Sequence, residues 1–265
     1  LIHNTKTNNG TIVNKPAPST NFASSSVTAI YGDSITNTFT TDSNGTKTFA
    51  SSNTSSATIN SSNGSVSIVA VGNATMSVNL AETNEYTSAN DNYTLTTNPK
   101  TLTATASASD KVYDGTATAT TTLTFSGLVG SETLGQTVGS TFSDKNVGTG
   151  KTVTVNSITL ADGGNGGLAL NYSISSGQTT TANITAKALT VSGITASDKT
   201  YDGNAVATLN TSSILYSGLI NGDTFSGTYA GAFNNANAGT GKTVTITPTY
   251  TGADVSNYSV TDHST

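Results

Sequence analysis

The residues best suited to chemistry are the aspartates of a repeated Tyr-Asp-Gly motif. It stands as Tyr113-Asp114-Gly115 and again as Tyr201-Asp202-Gly203, each time preceded by Ser-Asp-Lys and one further residue. Such carboxylates could serve in acid–base catalysis or bind Ca²⁺, but Ca²⁺ usually takes about six to eight oxygen ligands. We therefore favour a structural turn, in which the tyrosine anchors in the core, the carboxylate accepts backbone N–H groups and the glycine adopts a positive φ.

A second repeated segment only superficially resembles a phosphate-binding loop. Gly148-Thr149-Gly150-Lys151-Thr152 returns as Gly239-Thr240-Gly241-Lys242-Thr243. The glycines are too close together for a P-loop, and a strand pattern follows where a helix is required. The only histidines, His3 and His263, have no repeated acidic companion. We therefore expect no catalytic, cofactor or metal site, and the chain is predicted not to be an enzyme.

The motifs recur in one order, which predicts duplicated modules. Besides the two segments above, the paired markers are Phe125-Ser126-Gly127-Leu128 with Tyr216-Ser217-Gly218-Leu219, and Asn171-Tyr172-Ser173 with Asn257-Tyr258-Ser259. The predicted modules cover residues 100–186 and 187–265, and a module without these markers covers 17–99. Residues 1–16 form a leading arm or linker. The last module has no counterpart of residues 179–185 and is expected to lack its final strand.

Strict alternation of apolar and polar residues dominates the chain. Leu102, Ala104, Ala106 and Ala108, for example, interleave with threonine and serine. This period of two is typical of half-buried strands, and no segment has a convincing helical period. The sequence therefore predicts an all-β protein of tandem antiparallel, Ig-like β-sandwiches. Because the junctions carry no Gly/Ser linker, we expect the modules to form a stiff, elongated rod.

Composition excludes several classes of partner. The 265 residues include no Cys and no Trp, all ten basic residues are Lys, and the net charge is −5. An acidic chain without Arg is unsuited to nucleic acid or anionic lipid. No apolar stretch has the length needed to span a membrane, so we expect no membrane insertion.

Residues 100–265 resemble the Tyr-Asp-Gly repeat domains of large bacterial surface adhesins, such as filamentous-haemagglutinin-like proteins. The resemblance lies in the paired markers above. Residues 17–99 resemble bacterial Ig-like modules through Tyr31-Gly32-Asp33, residues 68–75 and Asn84-Glu85-Tyr86. The resemblance implies extracellular, cell-surface, non-enzymatic stalk domains.

Three hypotheses for function follow. The first is a rigid structural and adhesive segment of a bacterial surface protein or fibre, whose partners are neighbouring domains of a longer adhesin or further copies of itself. In that case Thr11, Ile12 and Val13 are a candidate donor strand that completes the last module of another copy, head to tail. The alternative explanation of the missing strand is simply where the sequence stops. The second hypothesis is a carbohydrate-binding module that contacts host or surface glycans, and the third is a secreted enzyme with an unrecognised site.

Overall fold

A computed structural model describes residues 5–8 and 11–262 of the chain, with side chains from residue 14 to residue 261. Nearly every element in this part is a strand, and the helical elements are two 3-10 turns. The prediction of an all-β sandwich fold is confirmed. None of the described helices is long and apolar enough to cross a membrane.

The described residues up to position 98 form strands β1 to β10. These are Thr5–Asn8, Thr11–Asn14, Thr20–Phe22, Ser26–Ile30, Phe39–Thr41, Lys47–Ser51, Ala57–Ile59, Val66–Ile68, Gly72–Leu80 and Ala89–Asn98. The pattern of burial follows the alternation of the sequence. In β9 the buried side chains are Ala74, Met76, Val78 and Leu80, and the residues between them are less buried.

Residues 100–185 form strands β11 to β19. These are Lys100–Thr101, Thr103–Ala108, Lys111–Val112, Thr118–Ala119, Thr121–Ser126, Leu134–Phe142, Gly148–Asp162, Tyr172–Ser173 and Thr179–Thr185. A 3-10 helix at Ala169–Asn171 directly precedes β18. The Gly148-Thr149-Gly150-Lys151 segment opens β17 with a shift in register between Gly148 and Lys151.

Residues 187–262 form strands β20 to β27. These are Lys187–Ser192, Thr195–Ala196, Val206–Ala207, Leu209–Asn210, Leu215–Ser217, Ser226–Phe233, Val244–Thr251 and Tyr258–Asp262. The second 3-10 helix, Val255–Asn257, directly precedes β27. The paired Asn-Tyr markers therefore occupy the same place in both repeats, at the end of a 3-10 helix and the start of a strand.

One parallel pairing recurs among antiparallel ones. Strand β4 pairs in parallel with β10, β11 with β18, and β20 with β27. In each case an early strand of a predicted module lies beside a late strand of the same module. Parallel neighbours cannot be joined by a tight hairpin, so the chain between the two strands forms a longer crossover connection.

Contacts divide the chain into two compact units. One holds the residues up to 104 together with 125–137 and 159–175, and the other holds 105–124, 138–158 and the residues from 176 onward. The first unit contains a core around Phe22, Phe49, Met76, Tyr93 and Leu95. It also contains a smaller cluster around Tyr31, Leu102 and Tyr172. The core of the second unit includes Tyr113, Val153, Ile184, Leu189 and Tyr258.

Candidate functional site

Within the first unit, two tyrosines share one carboxylate. The Tyr31 hydroxyl donates to Glu132 Oε1 at 2.6 Å, and the Tyr172 hydroxyl donates to Glu132 Oε2 at 2.5 Å. The two rings meet edge to face, with centroids 5.5 Å apart. Tyr31 comes from the predicted Ig-like module, whereas Glu132 and Tyr172 come from the predicted module that follows. The cluster therefore joins two predicted modules inside one unit.

The second unit contains the same arrangement, built from the next pair of predicted modules. The hydroxyls of Tyr113 and Tyr258 donate to Asp223 Oδ2 at 2.9 and 2.5 Å. Their rings are again edge to face, with centroids 5.6 Å apart. We call each set of two tyrosines and one carboxylate a tyrosine junction. Its occurrence twice, with matching geometry, shows that the junction is a repeated feature of the chain.

A buried asparagine completes each tyrosine junction. Asn171 Oδ1 accepts a hydrogen bond from the Val71 backbone N–H at 2.9 Å, and Asn257 Oδ1 accepts one from the Val147 N–H at the same distance. Both asparagine side chains are fully buried. Because a buried N–H without a partner is costly, each amide fixes where the preceding module's loop ends against the next module.

Local turns place the carboxylates. Gly127 and Gly218 have φ near +102° and +101°, a conformation that favours glycine and turns the chain out of the preceding strand. A backbone hydrogen bond from the Glu132 N–H to the Val129 carbonyl closes the following turn, and Asp223 bonds to Ile220 in the same way. The acid side chain is thereby directed at the tyrosines.

The same turns also satisfy the second hydrogen-bonding site of one tyrosine in each junction. The Val129 N–H donates to the Tyr172 hydroxyl at 2.9 Å, and the Ile220 N–H donates to the Tyr258 hydroxyl at 3.0 Å. Each of these hydroxyls therefore both donates to the carboxylate and accepts from the turn that carries it. Because each hydroxyl both donates and accepts a hydrogen bond, the tyrosine side chain has little freedom to adopt another orientation.

Electrostatics keep the junction tyrosines protonated. Burial, followed by hydrogen bonding to Glu132, raises the pKa of Tyr31 and of Tyr172 to about 12. Burial, followed by the hydrogen bond to Asp223, likewise raises the pKa of Tyr258 to about 12. A phenol held this far from ionisation is a hydrogen-bond donor and a poor general base. The junction tyrosines are therefore suited to holding the carboxylate by hydrogen bonds and not to proton transfer.

The second junction carries an additional cation. Lys145 Nζ lies 3.3 Å from Asp223 Oδ1 and 3.0 Å from Asp254 Oδ1. The Thr224 N–H, followed by the Lys145 ammonium, lowers the pKa of Asp254. Hydrogen bonds to Asp254 and then to Tyr113 raise the pKa of Lys145. Lys145 thus offsets the negative charge that two carboxylates bring to this junction.

The Tyr-Asp-Gly motifs form turns of the expected geometry. Asp114 Oδ1 accepts the Thr116 N–H at 2.9 Å, and Asp202 Oδ1 accepts the Asn204 N–H at 3.1 Å. Gly115 and Gly203 have φ of +79° and +78°. The aspartates also form ion pairs with the lysine three residues earlier, at 2.8 and 2.7 Å. They do not bind the junction hydroxyls.

The two motif tyrosines differ sharply. Tyr113 is 1% exposed, whereas Tyr201 is 67% exposed. The expectation that Tyr201 anchors in the core is therefore wrong. The physical reason is that Tyr113 is buried by Tyr258 and Asp223 of the following module, and no described residue supplies the corresponding cover to Tyr201.

The remaining predicted residues are the candidate donor strand and the two histidines. Thr11, Ile12 and Val13 are part of β2, which pairs antiparallel with β1. His3 and His263 lie outside the described residues. Within residues 5–8 and 11–262, no group of three or more His, Asp or Glu side chains could hold a metal ion.

Sequence reasoning missed Glu132 and Asp223. The signal was present, because each acid precedes a threonine shortly after the repeated Gly-Leu marker. It carried no weight alone, since surface acids in turns are common. Asn171 and Asn257 were recognised as markers, but the sequence did not indicate that their amides bind the preceding module.

Comparisons with known proteins give one family. The family model described as "YDG domain" matches residues 98–182 and again residues 185–265. A search of curated proteins gave no match.

Some solved structures share a general likeness. Domains EC1-2 of human protocadherin-24 are 12% identical, with a TM-score of 0.29, over 94% of this chain and 99% of that one. Domains EC1-4 of Drosophila N-cadherin are 9% identical, with a TM-score of 0.22, over 98% and 81%. Domains 4-9 of the surface layer protein SbsC are 14% identical, with a TM-score of 0.19, over 82% and 39%. At TM-scores this low, the likeness carries no further argument.

Proposed function

The chain belongs to the YDG domain family, and from this premise we propose that it is a structural and adhesive segment of a bacterial extracellular surface protein or fibre. Its modules act as a mechanical spacer and not as a catalyst. The observation that carries the proposal is the tyrosine junction, which occurs twice with the same residue types and matching distances. A set of contacts that recurs between successive modules is suited to holding those modules together.

The chemistry of the junction suits a permanent connection. Two phenols bind one carboxylate, and the aromatic rings add an edge-to-face contact of about 0.5–1.5 kcal/mol. Both carboxylates accept from two phenols, and hydrogen bonds to charged groups are stronger than neutral ones. A joint of this kind resists bending at each module boundary and supports the role of a stiff spacer.

Self-assembly is the second part of the proposal. A strand of the leading arm, Thr11–Asn14, is donated to the last module of another copy, so that copies join head to tail. The support is that β2 pairs, among the described residues, only with β1. A two-stranded hairpin is marginally stable alone, so its release costs little.

Small-angle X-ray scattering tests the spacer role. The wild-type chain is expected to give the scattering curve of an elongated rod, and Asp223→Ala to give a curve that requires bending between modules. Asp202→Ala is the matched control, because Asp202 lies in an exposed turn and contacts no junction hydroxyl. A wild-type curve typical of a compact globule, or of freely swinging modules, would overturn the proposal.

A further inference from the structure

Asn-Gly pairs are places where a protein backbone can modify itself without an enzyme. The glycine nitrogen attacks the asparagine Cγ, the new N–Cγ bond replaces the Cγ–Nδ2 bond, and the displaced group takes up a proton and leaves as ammonia. Water then opens the resulting succinimide ring on either side, which gives aspartate or isoaspartate. Glycine favours the attack because it has no side chain to obstruct it and adopts backbone conformations that other residues avoid.

The described residues contain four such pairs, at Asn44-Gly45, Asn63-Gly64, Asn165-Gly166 and Asn221-Gly222. All four asparagines are exposed, so exposure does not distinguish them. The pairs differ in whether hydrogen bonds hold the two reacting groups, which are the asparagine side-chain amide and the N–H of the glycine.

The pair at Asn63 is held at both groups. The Gly64 N–H donates to the Asn60 carbonyl at 2.9 Å. Asn63 Oδ1 accepts the Ser65 N–H at 2.9 Å. Both hydrogen bonds must open before the Gly64 nitrogen can reach Asn63 Cγ.

Two further pairs are held at one group each. The Gly45 N–H donates to Ser43 Oγ at 3.1 Å, which restrains the attacking nitrogen. Asn165 Nδ2 donates to the Ser131 carbonyl at 2.9 Å, which restrains the group that is attacked.

The pair Asn221-Gly222 is held at neither group. In the part of the chain that the structure describes, no hydrogen bond involves the Asn221 side chain or the Gly222 N–H. Gly222 has φ of +92°, and a Cβ built on it would meet no atom within 4 Å. The chain around this pair therefore has space to rearrange.

We propose that Asn221 is the preferred deamidation site among these pairs and that its conversion to isoaspartate loosens the second tyrosine junction. Asn221 is the second residue of the turn that a hydrogen bond from the Asp223 N–H to the Ile220 carbonyl closes at 3.2 Å. The same turn makes two contacts with Tyr258. The Ile220 N–H donates to the Tyr258 hydroxyl, and Asp223 Oδ2 accepts from it.

Isoaspartate lengthens this turn. Its backbone runs through Cβ and Cγ, so one methylene group enters the chain between Ile220 and Asp223, and a free α-carboxylate remains. The Ile220 N–H and the Asp223 carboxylate then lose the spacing that holds the Tyr258 hydroxyl between them. The new negative charge also stands two residues from the Asp223 side chain, which is only 4% exposed, and two like charges disfavour each other.

The first tyrosine junction lacks this chemistry. Its corresponding turn reads Val129-Gly130-Ser131-Glu132, in which no asparagine precedes a glycine. The second junction therefore weakens as the molecule ages, whereas the turn of the first junction keeps its length.

Peptide mapping of the aged full chain tests the site. The protein is incubated in mildly alkaline buffer and cleaved after lysine, which separates residues 44, 63, 165 and 221 into different peptides for mass spectrometry. We expect Asn221 to deamidate about tenfold faster than Asn63, because the hydrogen bonds at Asn63 must open first. Asn44 and Asn165 should fall between them. A faster reaction at any of the other three sites would overturn the proposal.

Urea unfolding of the same samples tests the effect on the junction. The midpoint of the aged wild-type chain should fall below that of the fresh chain. Aged Asn221→Gln should keep its midpoint, because glutamine would have to close a larger ring and reacts far more slowly. An unchanged midpoint after Asn221 has been converted would refute the loosening.

Fresh Asn221→Asp is the matched control. It introduces the negative charge of deamidation without lengthening the backbone, so its midpoint should stay close to that of the fresh wild-type chain. A fall as large as that of the aged chain would assign the loss to charge and refute the lengthening of the turn.

Discussion

The Tyr113 hydroxyl lies 2.9 Å from the Asp223 carboxylate, although the two residues are 110 positions apart. Tyr31 and Glu132, 101 positions apart, stand in the same relation at 2.6 Å. A tyrosine that starts a turn in one module is thus held by an acid from the next.

Replacing the junction tyrosine should destabilise the chain, whereas the same change in the other motif should not. Tyr113→Phe removes a donor from Asp223, whose side chain is only 4% exposed. We expect a loss of about 1–3 kcal/mol in the free energy of unfolding. Tyr201→Phe, at the exposed copy, should change it by less than about 0.5 kcal/mol. Urea unfolding followed by circular dichroism measures both, and equal effects would contradict the junction.

The two tyrosines of the first junction should be energetically coupled. Tyr31 and Tyr172 donate to the same carboxylate, Glu132. The double variant to phenylalanine should therefore depart from the sum of the single variants by about 0.5–3 kcal/mol. A second cycle pairs Tyr172→Phe with Tyr258→Phe, which bind different carboxylates, and should be additive. Additivity in the first cycle would show that Glu132 does not link the rings.

Replacing a buried junction asparagine should destabilise the chain more than replacing an exposed asparagine that also precedes a tyrosine. Asn257→Ala leaves the Val147 N–H without its partner, and Asn171→Ala does the same to Val71. Each should cost about 1–3 kcal/mol. Asn92→Ala is the control, since Asn92 also precedes a tyrosine but is exposed. Thermal unfolding of the three variants decides the matter, and a loss as large for Asn92→Ala would disprove the role of the amides.

Alkaline pH should weaken the junctions in a defined range. The pKa values of Tyr31, Tyr172 and Tyr258 are raised from about 10 to about 12. Their contribution to stability is therefore complete below about pH 10 and is lost as the pH rises through about 12. Urea midpoints measured across this range should fall, and they should fall less for a variant with Tyr172→Phe and Tyr258→Phe. The ultraviolet absorbance of tyrosinate gives the ionisation directly, and a pH response identical in this variant would contradict the assignment.

The sequence predicted the strands because alternation reports burial, and burial in β9 follows it residue by residue. It did not predict which strands run in parallel, since a period of two carries no direction. The turn at Asp114 and Gly115 was predictable because turn chemistry is local.

The exposure of Tyr201 was not predictable from its motif. Tyr113 has the same neighbours in sequence, yet its burial depends on Asp223 and Tyr258. Such burial is a property of the following module and is invisible to any pattern within a single repeat. For the same reason Glu132 escaped notice, because its partners come from two different modules.

The parallel pairing of early and late strands has a consequence under tension. Strand β20 lies beside β27 over five residue pairs, and β4 beside β10 over another five. A pull that draws the two ends of such a module apart loads all five rungs together in shear instead of unzipping them one by one. Strands β11 and β18 share only the pairs Lys100–Tyr172 and Thr101–Ser173, so this pairing offers fewer rungs against the same pull.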